Sequence, residues 1–250
     1  MSIPLSVWRV DLSSADLAER LFDLLDADER ARAERYARPE LRRRFVIAHG
    51  ALRSVLGQAL NQAPQAIGFD YNAWGKPRLA DRTELVFNLS HSQDLALCAL
   101  GPPGDLGVDV EYLERSRTLE TLDLAQRFFA REEYEAIALL PVGRRRDQVF
   151  TRYWTRKEAY IKAKGLGLSL PLQSFCIDNA NFSRLAWSLR WPDDVQQLRF
   201  WDIPVTSAYC ASLAYTGASA CAAPNIMTWE PDDPVCSPGS RRRLSQGVNQ

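Results

Sequence analysis

Apolar positions recur along the chain at two spacings, and each spacing predicts a different kind of element. Val149, Phe150, Tyr153, Trp154 and Ile161 fall at helical intervals, which predicts a long helix over residues 147–164 with charge on its other face. Gly165 and Gly167 suit the cap and turn that end it. A second long helix is expected over residues 42–60, its part from residue 48 onward being core. A shorter helix runs from the Ser13-Ser14 cap to Leu25, with Leu17, Leu21, Leu24 and Leu25 inward. Two more cover residues 122–129 and 131–140. The other spacing is two. Gly107-Val108-Asp109-Val110-Glu111 alternates, so as a strand it turns Val108 and Val110 to one face and both carboxylates to the other, about 6.5–7 Å apart. Further strands are expected at residues 7–10, 67–71, 85–89 running into Ser90-His91-Ser92, 95–100, 174–177 and 209–213, with a last edge strand at 225–229. Residues 231–250 offer almost nothing apolar and are expected to form a disordered tail.

Composition narrows the class. At 250 residues and 46% hydrophobic content the chain can build one large domain or two small ones. Lys plus Arg and Asp plus Glu balance at 31 each, so no global field favours nucleic acid or an anionic membrane as partner. No apolar run reaches membrane-spanning length and residues 1–6 lack the build of a signal peptide, so a cytoplasmic location is expected. Five cysteines, with no Cys-x-x-Cys pair among them, argue against a disulfide framework and a zinc site.

Charge is uneven locally. From Glu29 to Arg53 the chain carries Arg30, Arg32, Arg35, Arg38, Arg42, Arg43, Arg44 and Arg53 against Glu29, Glu34 and Glu40, interleaved with Tyr36, Phe45 and Ile47. Such a stretch is either the solvated side of a helix pair or a phosphate cradle, since arginine binds phosphate bidentately. Ser90-His91 at a strand end is a natural ligand site, whereas His49 lies inside a core helix pattern and reads as structural. Glu158 and Lys162 stand one helical turn apart on a common face. Added to Asp109 and Glu111, Glu158 completes a set of hard oxygen donors suited to a magnesium ion shared with substrate phosphates.

Gly107 to Glu111, the run from Trp154 to Lys162 and Gly165-Leu166-Gly167-Leu168 together resemble the signature of the 4′-phosphopantetheinyl transferases, of the larger surfactin-synthetase-activating type. Phe128-Phe129, Glu132-Glu133, Gly75-Lys76-Pro77 and Asn88-Leu89-Ser90-His91-Ser92 also look like that family. The resemblance covers about residues 5–229.

The resemblance implies an α+β fold of two similar halves with the active site at their junction, which fits the sequence echo of long helix, strand and small-residue strand on either side of residue 105. The halves would be residues 1–105, holding the coenzyme, and 106–230, holding metal and catalytic motifs, with 231–250 as tail. The implied reaction moves the 4′-phosphopantetheine of coenzyme A to a serine of an apo acyl or peptidyl carrier protein and releases 3′,5′-adenosine bisphosphate. Asp109, Glu111 and Glu158 would be magnesium ligands, Glu158 the base and Lys162 the stabiliser of phosphoryl charge. Arg32, Arg44, Lys76, Ser90 and His91 would contact the coenzyme. Phe45 departs from the pattern, standing where some relatives carry a phosphate-touching hydroxyl. The carrier's acidic helix would dock near residues 112–129 and 142–149, facing Arg115, Arg117, Arg144, Arg145 and Arg146. The protein would act as a monomer. Rival readings are a magnesium-dependent nucleotide pyrophosphate hydrolase and a non-catalytic nucleotide- or RNA-binding module.

Overall fold

Caps decide where the helices start and stop. Ser14 accepts a hydrogen bond from the Leu17 N–H to open α1 (Ala15–Phe22), and Asp26 with Glu29 forms a capping box at the start of α2 (Ala27–Glu34). Pro39 opens α3 (Pro39–Leu60), which closes on left-handed Asn61. The other helices are α4 (Glu120–Phe128), α5 (Arg131–Ala138), α6 (Arg144–Lys164) and the single-turn α7 (Asp194–Gln197). Gly165 ends α6 at φ +66°, a conformation that glycine adopts without strain. These positions come from a computed structural model, which describes residues 3–80, 84–113, 120–217 and 222–231. The expected tail, save Pro231, lies outside the described residues, as do Arg115 and Arg117.

Two sheets carry the α+β fold. The first has the order β11-β1-β5-β4, built from β1 (Ser6–Asp11), β4 (Val86–Ser92), β5 (Leu95–Gly101) and β11 (Asn225–Thr228). The second has the order β6-β10-β9, built from β6 (Leu106–Tyr112), β9 (Arg199–Asp202) and β10 (Tyr209–Tyr215). Two small ribbons complete the set, β2 (Phe69–Tyr71) with β3 (Pro77–Leu79), and β7 (Phe175–Ile177) with β8 (Leu185–Ser188). Alternation along the strands assigns each face its core. Val10, Ala96 and Cys98 of the first sheet pack with Ala48, Leu52 and Val55 of α3. Ala214 and Phe200 of the second pack with Ala159 and Tyr160 of α6. Val7, Leu97 and Ala99 meet Val108, Val110 and Leu213 in a third core between the sheets.

The first sheet also takes a strand from far along the chain, since β11 returns to pair in parallel with β1, from Ser6 opposite Asn225 to Arg9 opposite Thr228. One expectation needs correction, because the charge of α6 is not confined to the face opposite its apolar stripe. Arg156 and Lys157 are buried, Arg156 paired with Asp202 at 2.6 Å and Lys157 with Glu133 at 2.8 Å. Each exchanges water for a carboxylate and for backbone carbonyls, the condition under which a charge can be buried.

Candidate functional site

The site begins with a glycine. Gly107 lies under α6 so closely that a Cβ there would fall 2.0 Å from the Ala159 carbonyl oxygen and 2.4 Å from the Ala163 N–H nitrogen. Only glycine lets the helix settle on β6 at this point, and that contact lays Glu158 and Lys162 alongside the strand face that presents Asp109 and Glu111. The seam between the sheets supplies the next wall. Every second residue of β4 reaches across to β6: Asn88 Oδ1 accepts from the Val108 N–H at 2.8 Å, Ser90 Oγ donates to Asp109 Oδ1 at 3.0 Å, and Ser92 Oγ donates to Glu111 Oε2 at 3.3 Å while accepting from the Tyr112 N–H. The sequence signal for Asn88 and Ser92 is their polar alternation with Ser90, and their partners on β6 are set only by the fold.

Lys162 closes a triad. Its ammonium donates to Ser90 Oγ at 2.7 Å and to Asp109 Oδ1 at 2.6 Å. Asp109 is buried, and its second oxygen, Oδ2, has no hydrogen-bond partner. Burial raises the Glu158 carboxyl, Asp109 and then Glu111 raise it further, Lys162 partly opposes them, and the result is a pKa of about 7. Burial and Asp109 likewise lift Glu111 above the ordinary carboxylate range, against Lys162, Ser92 and a hydrogen bond from Trp154.

An orphaned buried carboxylate oxygen and two carboxyls held short of easy ionisation are what a divalent cation with hard oxygen ligands would relieve, so the donor set fits magnesium. Among the described residues, no three Asp, Glu, His or Cys side chains already stand as a metal cluster. Lys162 supplies the positive charge at Asp109 instead.

A groove leads away from this centre. Glu158, Ile161 and Lys162 form one wall with Trp74, Gly75, Lys76 and Pro77 opposite, and through Gly75, Pro77, Asn88 and Leu89 it adjoins a second hollow lined by Arg32, His49, Phe69, Tyr71 and His91. Partial burial, then the nearby His49, Lys162, Arg44 and Arg32, lower the His91 pKa from its ordinary value. Arg32 lies over the Phe45 ring at 5.0 Å, and His49 stacks on the same ring at 4.1 Å while bonding Glu29. Phe45 thus backs the hollow as a buried ring where a hydroxyl was at issue.

The remaining arginines divide. Arg44 lines neither hollow; its Nε donates to Asp94 Oδ1 at 2.9 Å, which Arg43 shares. Arg53 is fully buried, bound to Glu29, Asp26 and the carbonyls of Pro64 and Ile67, so it belongs to the core and to no phosphate cradle. Lys76 borders the groove, yet its ammonium donates to two backbone carbonyls.

The chain has known relatives. The model of the 4′-phosphopantetheinyl transferase superfamily matches residues 105–214, from β6 through α6 to β10. The chain is 46% identical over 175 residues to 4′-phosphopantetheinyl transferase HetI of a Nostoc species, covering 68% of this chain and 72% of that protein. It is 31% identical over 164 residues to a 4′-phosphopantetheinyl transferase of Bacillus subtilis (66% and 70%), and 30% identical over 159 residues to that organism's transferase Sfp (64% and 68%). These relatives put the α+β fold in the class of transferases, and the chain belongs to the 4′-phosphopantetheinyl transferase superfamily.

Proposed function

We propose that the protein transfers the 4′-phosphopantetheine group of coenzyme A to a serine hydroxyl of an apo acyl or peptidyl carrier protein. The observation that carries this is the hydrogen-bonded triad of Ser90, Asp109 and Lys162 beside Glu158, whose pKa is about 7. As a carboxylate beside the triad Glu158 can take the proton of the attacking serine, its pKa of about 7 being that of the metal-free site, which a bound cation would lower. The serine oxygen forms a bond to the β-phosphorus, the bond to the bridging oxygen breaks, and 3′,5′-adenosine bisphosphate leaves with the electron pair. Lys162 steadies the charge on the phosphoryl oxygens. Asp109, Glu111 and Glu158 would hold a magnesium ion, which when bound supplies neutralisation of the pyrophosphate.

The coenzyme would lie along the groove, with Ser90 and Lys162 at its phosphates and Arg32 and His91 in the adjoining hollow. On the other side of Glu111, Tyr112, Leu113, Leu124, Phe150 and Trp154 line a cavity. Carrier docking belongs there, with Arg144 to Arg146 at the start of α6 providing charge complementary to an acidic helix.

Incubation with coenzyme A, magnesium and a panel of apo carrier proteins, followed by weighing the carriers, tests the reading. A mass gain of one phosphopantetheine on the carrier serine is expected. Cleavage of coenzyme A with no gain on any carrier would identify a hydrolase instead.

A further inference from the structure

The loop joining β2 to β3 reaches into the opposite half of the molecule. Asn72 Oδ1 accepts the N–H groups of Trp74 and Lys76, each at 2.9 Å, and so shapes the loop. Asn72 Nδ2 then donates to the Gly165 carbonyl at 2.7 Å, and Lys76 Nζ donates to the carbonyls of Ala163 at 2.8 Å and Leu106 at 3.0 Å. The last carbonyls of a helix have no partner within it. Here two carbonyls at the end of α6 are taken by one loop, which ties them to the first residue of β6. The packing is tight as well, since a Cβ on Gly165 would lie 2.8 Å from Lys76 Cδ and 3.0 Å from Asn72 Nδ2.

We propose that Asn72 and Lys76 clamp the C-terminal turn of α6 to β6 and thereby set where Glu158 and Lys162 stand, which makes Lys76 a positioning residue and not a phosphate ligand. The proposal rests on the roles given above to Glu158 and Lys162. Lys162 lies less than one turn before the clamped carbonyls, so a shift of that turn carries the ammonium away from Asp109 and Ser90. Burial agrees with the assignment: it lowers the Lys76 pKa to about 8, with Lys164 adding to the effect and Asp105 opposing it, as befits an ammonium turned inward.

The test compares wild type, Asn72→Asp, Lys76→Met and the double variant. Asn72→Asp keeps the acceptor that shapes the loop, loses the donor to Gly165 and sets a carboxylate oxygen against that carbonyl. Calorimetry gives the coenzyme A Kd, steady-state transfer to an apo carrier gives kcat, and amide hydrogen exchange follows the last turn of α6. Each single variant should lower kcat by about 10- to 100-fold, because small displacements of reacting groups cost that much. Coenzyme A Kd should stay within about threefold, and the double variant should be about as slow as the slower single, as for two parts of one device. Exchange in the last turn of α6 should quicken. Loss of about tenfold or more in coenzyme A affinity for Lys76→Met, with Asn72→Asp like wild type, would make Lys76 a phosphate ligand and overturn the clamp. If Lys76→Met fails to fold, Asn72→Asp decides alone: slower turnover at unchanged affinity supports the clamp, and unchanged turnover overturns it. Absence of transfer by the wild type would sink the proposed function instead, and exchange at the α6 terminus would still judge the clamp.

Discussion

At Glu158, burial and two neighbouring carboxylates act against ionisation while Lys162 acts for it, and the balance has consequences that can be measured separately. Without metal, a carboxyl with a folded pKa of about 7 binds a proton more tightly than the same group in the unfolded chain. Folding therefore takes up protons between about pH 4.5 and 7, and this group's contribution to stability falls as pH rises through that window. In chelator, the melting temperature of the wild type should drop relative to Glu158→Gln between pH 5 and 8 by about 5–10 °C, and added magnesium should reverse the drop at the upper end. Kinetics separate ligand from base. Asp109→Ala removes a proposed ligand and should be partly rescued by raised magnesium, whereas Glu158→Gln cannot accept the serine proton and should stay down by about 10² or more at saturating magnesium. Equal rescue of both would reduce Glu158 to a ligand.

α6 is where sequence and structure agree most and differ most. The period-two run of β6 and the one-turn spacing of Glu158 and Lys162 were legible, because each is a local pattern that fixes which side chains share a face. The burial of Arg156 and Lys157 was not, because Asp202 and Glu133 sit on other elements and no local period announces them. The same holds for Lys76 and Arg53, whose carbonyl partners exist only in the fold. Glu133 accepts from the Ala130 and Ile177 N–H groups as well as from Lys157. Glu133→Ala should thus cost about 3–5 kcal/mol by leaving a buried ammonium unpaired, read as a lowered denaturation midpoint. Gly107→Ala drives a methyl into the α6 backbone. It should destabilise by at least the about 1–3 kcal/mol typical of overpacking and depress kcat more than coenzyme affinity, a pairing that a merely loosened core would not give.

On the scale of the whole molecule, β11 closes the first sheet from the far end of the chain. Trp229 follows it into the core, where its side chain is buried and its backbone N–H donates to the Arg9 carbonyl. Truncation after Glu230 is expected to leave melting temperature and transfer nearly unchanged. Truncation before Asn225 removes the β1 pairing and the Trp229 packing, and should lower the melting temperature by well over the about 2–4 °C that a single kcal/mol represents at this size. The same strand governs the order of events in synthesis. Arg9 and Thr228, which pair, stand 219 residues apart, and contacts of such separation form late because the loop they close must first be searched. Until residue 228 has left the ribosome, β1 presents a bare edge, the kind of template on which chains pair with one another. Refolding yield should therefore fall as protein concentration rises, and a synthetic peptide spanning β11, added in excess during refolding, should recover part of it.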